Sequence, residues 1–153
     1  MGGPADQRLH PDAPGHLFTE REGNSLLPQL EVIFLRLDPK LARLRELREL
    51  IEDSEAYYGE GLAAAPSGDR DLYSRNLQER ADLDRSIQGD IEEVLSLGCE
   101  VKDLHRGLVD FPARIGNEIV YLCWQRGEGQ IGWWHTLGAG FAGRKALSPQ
   151  TER

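Results

Sequence analysis

The sequence is poor in the features that mark exported, membrane-spanning or nucleic-acid-binding chains. Of its 153 residues only two are cysteines, Cys99 and Cys123, too few for a disulfide framework. No basic stretch followed by an apolar one opens the chain, so no signal peptide is expected; both thiols are expected to be reduced and the protein cytoplasmic. The longest strongly apolar run, 119–124, has six residues against the ~20 that cross a bilayer, and no membrane partner is expected. Basic residues are outnumbered, 18 Lys and Arg against 26 Asp and Glu, for a net charge of −8. A duplex-binding protein presents a basic stripe to neutralise phosphates. None is present, which argues against nucleic acid as a partner. HExxH, paired CxxC, a nucleophile elbow and internal repeats are missing as well.

What is present is globular in composition, 39% apolar and 29% charged, in a length that fits one domain. The acidity is uneven: residues 1–98 carry 11 basic and 20 acidic side chains, net −9, whereas 99–153 carry 7 and 6, net +1. Residues 1–15 hold three Pro and three Gly with almost nothing apolar and read as a disordered leader; 148–153 reads as a disordered tail. Between them, 16–147 reads as a single α+β domain. It comprises a helical hairpin over 19–97, a β-meander over 99–137 and a Gly-rich loop over 138–144.

The helical reading rests on spacing. Thr19 with Glu22 matches a capping box. Leu26, Leu27, Leu30, Ile33, Phe34 and Leu37 then recur with helical period, followed by Leu41, Leu44 and Ile51. Pro28 predicts a kink or restart, and Asp38-Pro39 a second restart, so 20–58 reads as one kinked helix or two in series. Residues 59–68 are loop-like, and Leu72, Leu83, Ile87, Ile91, Val94 and Leu95 mark a second helix over about 69–97. Gly98 fits its left-handed stop. Two helices of this length outrun what a small sheet covers. The excess apolar stripe predicts self-association or a protein partner through the acidic hairpin.

After Gly98 the period changes from 3.6 to 2. A short strand is predicted near 101–104, then a meander of three strands, 108–115, 118–126 and 130–136, for a small antiparallel sheet of three to four strands. Gly116-Asn117 supplies a two-residue turn and 127–129 the next. These loops pair Ile115 with Glu118, Asp110 with Cys123, Arg126 with Gln130, Cys123 with Trp133 and Tyr121 with His135. Alternation then sends Val109, Phe111, Ile115, Val120, Leu122, Trp124 and Trp134 to a core face against the helices. Leu108, Asp110, Tyr121, Cys123, Trp133 and His135 fall on an open, half-exposed face.

Asp110, Cys123 and His135 are the candidate site. Such a face is most simply a polar surface meeting solvent, a loop or another subunit. The same three groups could ligate Zn²⁺ with an open fourth position, or form a Cys–His nucleophile pair oriented by a carboxylate. Tyr121, Trp133 and Arg144 are ligand-binding candidates, Arg144 as the neutraliser of an anion. The GxGxxG string at 138–143 has neither the helix nor the downstream acid that a dinucleotide site needs and reads as a turn. His105 reads as a solvated turn residue, and His10 and His16 lie in or next to the leader.

Several stretches together resemble the prokaryotic family known as domain of unknown function 2203. They are Phe18-Thr19-Glu20, Asn24-Ser25-Leu26-Leu27-Pro28-Gln29-Leu30, Gly98, Lys102-Asp103 and Gly107-Leu108-Val109-Asp110-Phe111-Pro112. Tyr121-Leu122-Cys123-Trp124, Trp134-His135 and Gly140-Phe141-Ala142-Gly143-Arg144 complete the set. The resemblance covers about 16–147. It implies a helical hairpin with a sheet, and an unbroken helix where Asp38-Pro39 stands; it implies no activity. Two functions therefore remain: a self-associating interaction or scaffold module, or a metal- or small-anion-binding protein, conceivably a hydrolase, built on Asp110, Cys123 and His135.

Overall fold

The computed structural model describes residues 15–147; the leader and tail expected at 1–15 and 148–153 lie outside this range, Gly15 apart. Helix α1 spans Glu20–Tyr58 without interruption and helix α2 spans Ser67–Ser96, with a short 3₁₀ turn, Gly59–Ala64, between them. The predicted capping box opens α1. Glu22 N donates to Thr19 Oγ1 at 3.1 Å, and Thr19 N donates to Glu22 Oε1 at 2.9 Å. Neither Pro28 nor Pro39 ends the helix, and no restart occurs at Asp38-Pro39. Both prolines lie on the exposed side, where water can hydrate the carbonyl that each leaves without an amide partner. Gly98, at φ +98°, closes α2 in a conformation that favours glycine.

The backbone divides into two compact units, Leu35–Asp90 and the remainder. The first is built from helix alone. Within it, Arg36 and Lys40 both pair with Asp90, and Arg43 grips Glu79 with Nε at 2.7 Å and Nη2 at 2.9 Å. Tyr73 donates to Glu55 at 2.7 Å, and Tyr58 donates to Asp69.

The second unit, described over 15–34 and 91–147, holds the sheet. Its strands are β1 (Glu100–Asp103), β2 (Leu108–Ile115), β3 (Glu118–Gln125), β4 (Trp133–Thr136) and β5 (Lys145–Ala146). All neighbours are antiparallel, in the order β1-β2-β3-β4-β5. The fifth strand was not foreseen. The pairings inferred from the turns hold in the ladder, with Ile115 opposite Glu118, Asp110 opposite Cys123, Cys123 opposite Trp133 and Tyr121 opposite His135.

One strand is shorter than its pattern suggests: β4 begins at Trp133 instead of Gln130. Residues that would have extended the ladder to Arg126 and Gln130 bond elsewhere. Ile131 N donates to the Asn24 side chain at 2.7 Å, and Ile131 is buried. The Trp124 indole donates to Glu128 O at 2.8 Å, and Gln125 N donates to the Glu128 carboxylate at 2.7 Å. Gly23 makes the approach possible, since a β-carbon there would stand 2.6 Å from Ile131 Cδ1.

Val109, Phe111, Ala113, Val120, Leu122 and Trp124 are buried on the core face, where Phe18 meets Phe111 edge-on at 5.3 Å and Phe34 lies 6.4 Å from Trp124. The opposite face departs from expectation. Leu108, Asp110, Cys123 and His135 are buried as well, so β2 and β3 are covered on both sides. The cover is the chain after β4. It turns at Leu137–Phe141 and returns to pair Ala146 with Trp133 and Lys145 with Trp134, which draws the Gly-rich loop across the polar face. Gly140, at φ 67° and ψ −167°, takes a backbone conformation open essentially to glycine alone.

Candidate functional site

Register alone brings Asp110, Cys123 and His135 together. Asp110 and Cys123 are cross-strand partners, and His135, opposite Tyr121, is diagonal to Cys123. Their exposures are 2%, 1% and 2%, and one donor atom from each lies within 4.8 Å of the other two. Among the described residues this is the one group of three such side chains that could hold a metal ion.

The hydrogen bonds of His135 fix how the ring is used. Nδ1 lies 2.7 Å from Thr136 O. A carbonyl only accepts, so Nδ1 carries a proton and donates it. Nε2 therefore faces inward, 2.9 Å from Asp110 Oδ2. Two acceptors at that distance repel unless a proton lies between them, so the pair shares one, either on Nε2 or on the carboxyl. Burial pushes the Asp110 carboxyl up from its ordinary range, against the opposing pull of His135. The Cys123 thiol, a hydrogen-bond partner of Asp110, is pushed up to about 12, first by burial and then by the Asp110 charge. It is a protonated thiol at neutral pH. Tyr121 stacks obliquely on His135 with centroids 5.5 Å apart and donates to Glu100 Oε2 at 2.8 Å; burial and then Glu100 raise its phenol.

This geometry does not suit a nucleophile triad. In such a triad the imidazole bridges thiol and carboxylate through its two nitrogens. Here Nδ1 is committed to a backbone carbonyl and Nε2 to Asp110, and the hydrogen-bond partner of Cys123 is Asp110, not the imidazole. Arg144 alone pulls the Cys123 thiol down, and burial and the Asp110 charge outweigh it, whereas reactive cysteines are held toward the thiolate.

The three donors line a cavity of about 360 Å³. Lys102, Asp103, Leu108 and Tyr121 form one side of it, and Leu137, Gly138, Ala139, Gly140 and Phe141 form the rest. Arg144 and Trp133 are not among its lining residues. Arg144 is stacked between Trp133 and Phe141, 4.7 Å from each ring centroid. Its Nη2 holds both oxygens of Glu128 at 2.9 and 3.0 Å and reaches Cys123 O at 3.5 Å. Arg106 also stacks on Phe141, at 4.2 Å. Arg144 thus fastens the loop behind the cavity. Lys102, Leu137 and Phe141 were not singled out from the sequence as site residues. Lys102 alternates with neighbours in a strand too short to orient, and Phe141 enters only because the return strand β5 folds the loop back. No helix among the described residues is long and apolar enough to cross a membrane.

Comparison with curated proteins and with solved structures finds no match. A family model does match residues 16–147, nearly the whole described chain and the same stretches that carry the resemblance in the sequence. The chain belongs to the family described as uncharacterized conserved protein (DUF2203).

Proposed function

We propose that this protein binds a divalent transition metal, Zn²⁺ by the chemistry of the donors, through Asp110, Cys123 and His135, with an open coordination position facing the cavity. The observation that carries this reading is the orientation of His135. Its Nδ1–H is tied to the Thr136 carbonyl and its Nε2 is turned toward the Asp110 carboxylate, with the Cys123 thiol among donor atoms that all lie within 4.8 Å of one another. Ligating histidines are commonly held this way, the outer nitrogen donating to a carbonyl so that the inner lone pair points at the metal. One sulfur, one nitrogen and one oxygen donor suit Zn²⁺, and three protein ligands with a vacancy is the pattern of catalytic centres. Tetrahedral bonds of ~2.0–2.3 Å put donor atoms roughly 3.3–3.8 Å apart. The His135–Asp110 contact, at 2.9 Å, would widen by roughly half an ångström to meet that spacing, and no pair of donor atoms is more than 4.8 Å apart. The bound ion takes the place of the shared proton and of the thiol proton. A metal so exposed to a cavity polarises a water or a carbonyl oxygen, which makes hydrolysis the reaction class in keeping with the site.

Calorimetric titration of metal-stripped protein with Zn²⁺, and with Co²⁺ for its thiolate charge-transfer absorption, tests the reading. One ion per chain is expected, with the near-ultraviolet band lost in Cys123→Ser. Equal uptake by wild type and by Cys123→Ser/His135→Ala would overturn it.

A second reading, self-association through the hairpin, draws on Leu35, Leu50, Tyr57 and Leu72 of the helical unit, whose side chains are exposed, Tyr57 by 82%. Sedimentation at high micromolar concentration decides it; a monomer there excludes it.

A further inference from the structure

Beside the three donors the cavity has two chemically different parts, and together they select a ligand. Lys102 is the only cation among the lining residues. Its Nζ stands 4.9 Å above the Tyr121 ring, on the same side chain that packs against His135, and 3.4 Å from Glu100 Oε1. That Glu100 contact is at the long end for an ion pair, and the Glu100 carboxylate is also held by the shorter Tyr121 hydroxyl bond. Asp103, another charged liner, has its Oδ1 engaged by two backbone donors, His105 N and Arg106 N, both at 3.0 Å. Arg106 and Arg144, which both stack on Phe141, are not lining residues, and Arg144 is committed to Glu128. The rest of the wall is apolar, made by Leu108, Leu137, Ala139 and Phe141.

We propose that the cavity takes a small monocarboxylate with an apolar body, its carboxylate lying between Lys102 and the metal position and its body against Leu108, Leu137 and Phe141. This rests on the metal-centre reading above. A single lysine acts as a point charge that matches one negative charge, and about 360 Å³ is at the lower end of small-molecule sites. A benzoate-sized acid fits within it. A phosphate monoester would bring a second charge with no second cation to meet it.

The test uses the full chain loaded with Co²⁺. Cobalt uptake is measured first, and then benzoate, its neutral isostere benzamide and inorganic phosphate are titrated against the ligand-field spectrum. Benzoate binding to the metal-free protein is followed in parallel by ligand-observed NMR. Benzoate is expected to perturb the cobalt spectrum and to bind at least about tenfold more tightly than benzamide or phosphate. Lys102→Met should weaken benzoate about tenfold while cobalt uptake and thermal stability stay unchanged. Phe141→Leu, which keeps an apolar wall, should weaken benzoate less and benzamide equally. Equal affinity for benzoate and benzamide, preference for phosphate, or no effect of Lys102→Met overturns the ligand class and leaves the metal reading standing. Lysine-dependent benzoate binding in a protein that takes up no cobalt overturns the metal reading alone.

Discussion

Among the described residues each of the two compact units buries one aspartate, and the partners differ. In the helical unit Asp90 meets two permanent cations: Oδ1 accepts from Arg36 Nε at 3.0 Å and pairs with its Nη2 at 2.9 Å, while Oδ2 accepts from Lys40 Nζ at 2.6 Å. In the sheet unit Asp110 meets an imidazole and a thiol. Arg36 and Lys40 sit one turn apart on α1, so helix geometry alone aims both at one carboxylate. That cluster is saturated: both carboxylate oxygens are held by cations, and a metal would have to displace a full ion pair. Around Asp110 the shared proton and the thiol proton are both replaceable by a metal. A buried acid among fixed cations acts as a staple, whereas one among removable protons beside a cavity has the chemistry that the proposed metal site requires.

The largest effect that separates the two is metal affinity. Cys123→Ser or His135→Ala should lower Zn²⁺ affinity at least about 100-fold, since even outer partners of ligands cost roughly 10–100-fold. Asp90→Asn should leave it unchanged. Isothermal titration reads both, and a loss with Asp90→Asn would break the distinction. Zn²⁺ should also stabilise the wild type. At a free concentration 100 times its dissociation constant the gain is about 2.7 kcal/mol, roughly 5–10 °C in melting temperature for a chain of this size, reversed by a chelator and absent in Cys123→Ser. Next in size comes the cost of one isosteric change made in two places. Asp90→Asn removes a counter-charge from Lys40 and from Arg36. Because the Arg36 side chain is 41% exposed and can turn to water, the expected loss is about 2 kcal/mol, below the ~3–5 of a fully buried pair. In Asp110→Asn the new amide donates to His135 Nε2, keeping the hydrogen bond, and less than about 1 kcal/mol should be lost. Urea unfolding of the two variants compares them directly.

Much of this was legible in the sequence, for reasons that differ between residues. The α+β architecture followed from a change of period at Gly98, and the juxtaposition of Asp110, Cys123 and His135 from nothing more than two short turns and the alternation of strands. The capping box at Thr19 and Glu22 was equally local. What escaped was set by distant parts of the chain. Ile131 leaves the ladder because Asn24, 107 residues away, accepts its amide. The polar face is closed because two residues of unremarkable pattern, Lys145 and Ala146, return as an edge strand. Pro39 sits inside an unbroken helix because its side of α1 meets water, which local propensity does not report.

The smallest effects lie in the thiols, and they sharpen the comparison most. Cys99 and Cys123 are both buried and both pushed up to about 12, Cys99 by burial with a minor contribution from Glu100, Cys123 by burial and then by Asp110. An unfolded thiol ionises near ~8.5. A group whose pKa is raised by folding contributes stability that is complete below the unfolded value and lost as pH rises toward the folded one. The urea midpoint should therefore hold to about pH 8.5 and fall between there and about pH 12. Within that window the two cysteines control for each other. Asp110→Asn removes the negative charge that faces Cys123 and changes nothing around Cys99, so alkylation by iodoacetamide at pH 9 should quicken at Cys123 by a fewfold and stay constant at Cys99. Zn²⁺ should slow Cys123 alone. Equal acceleration at both thiols would mean that the variant had loosened the whole unit. Asp110 would then be a staple of the same kind as Asp90.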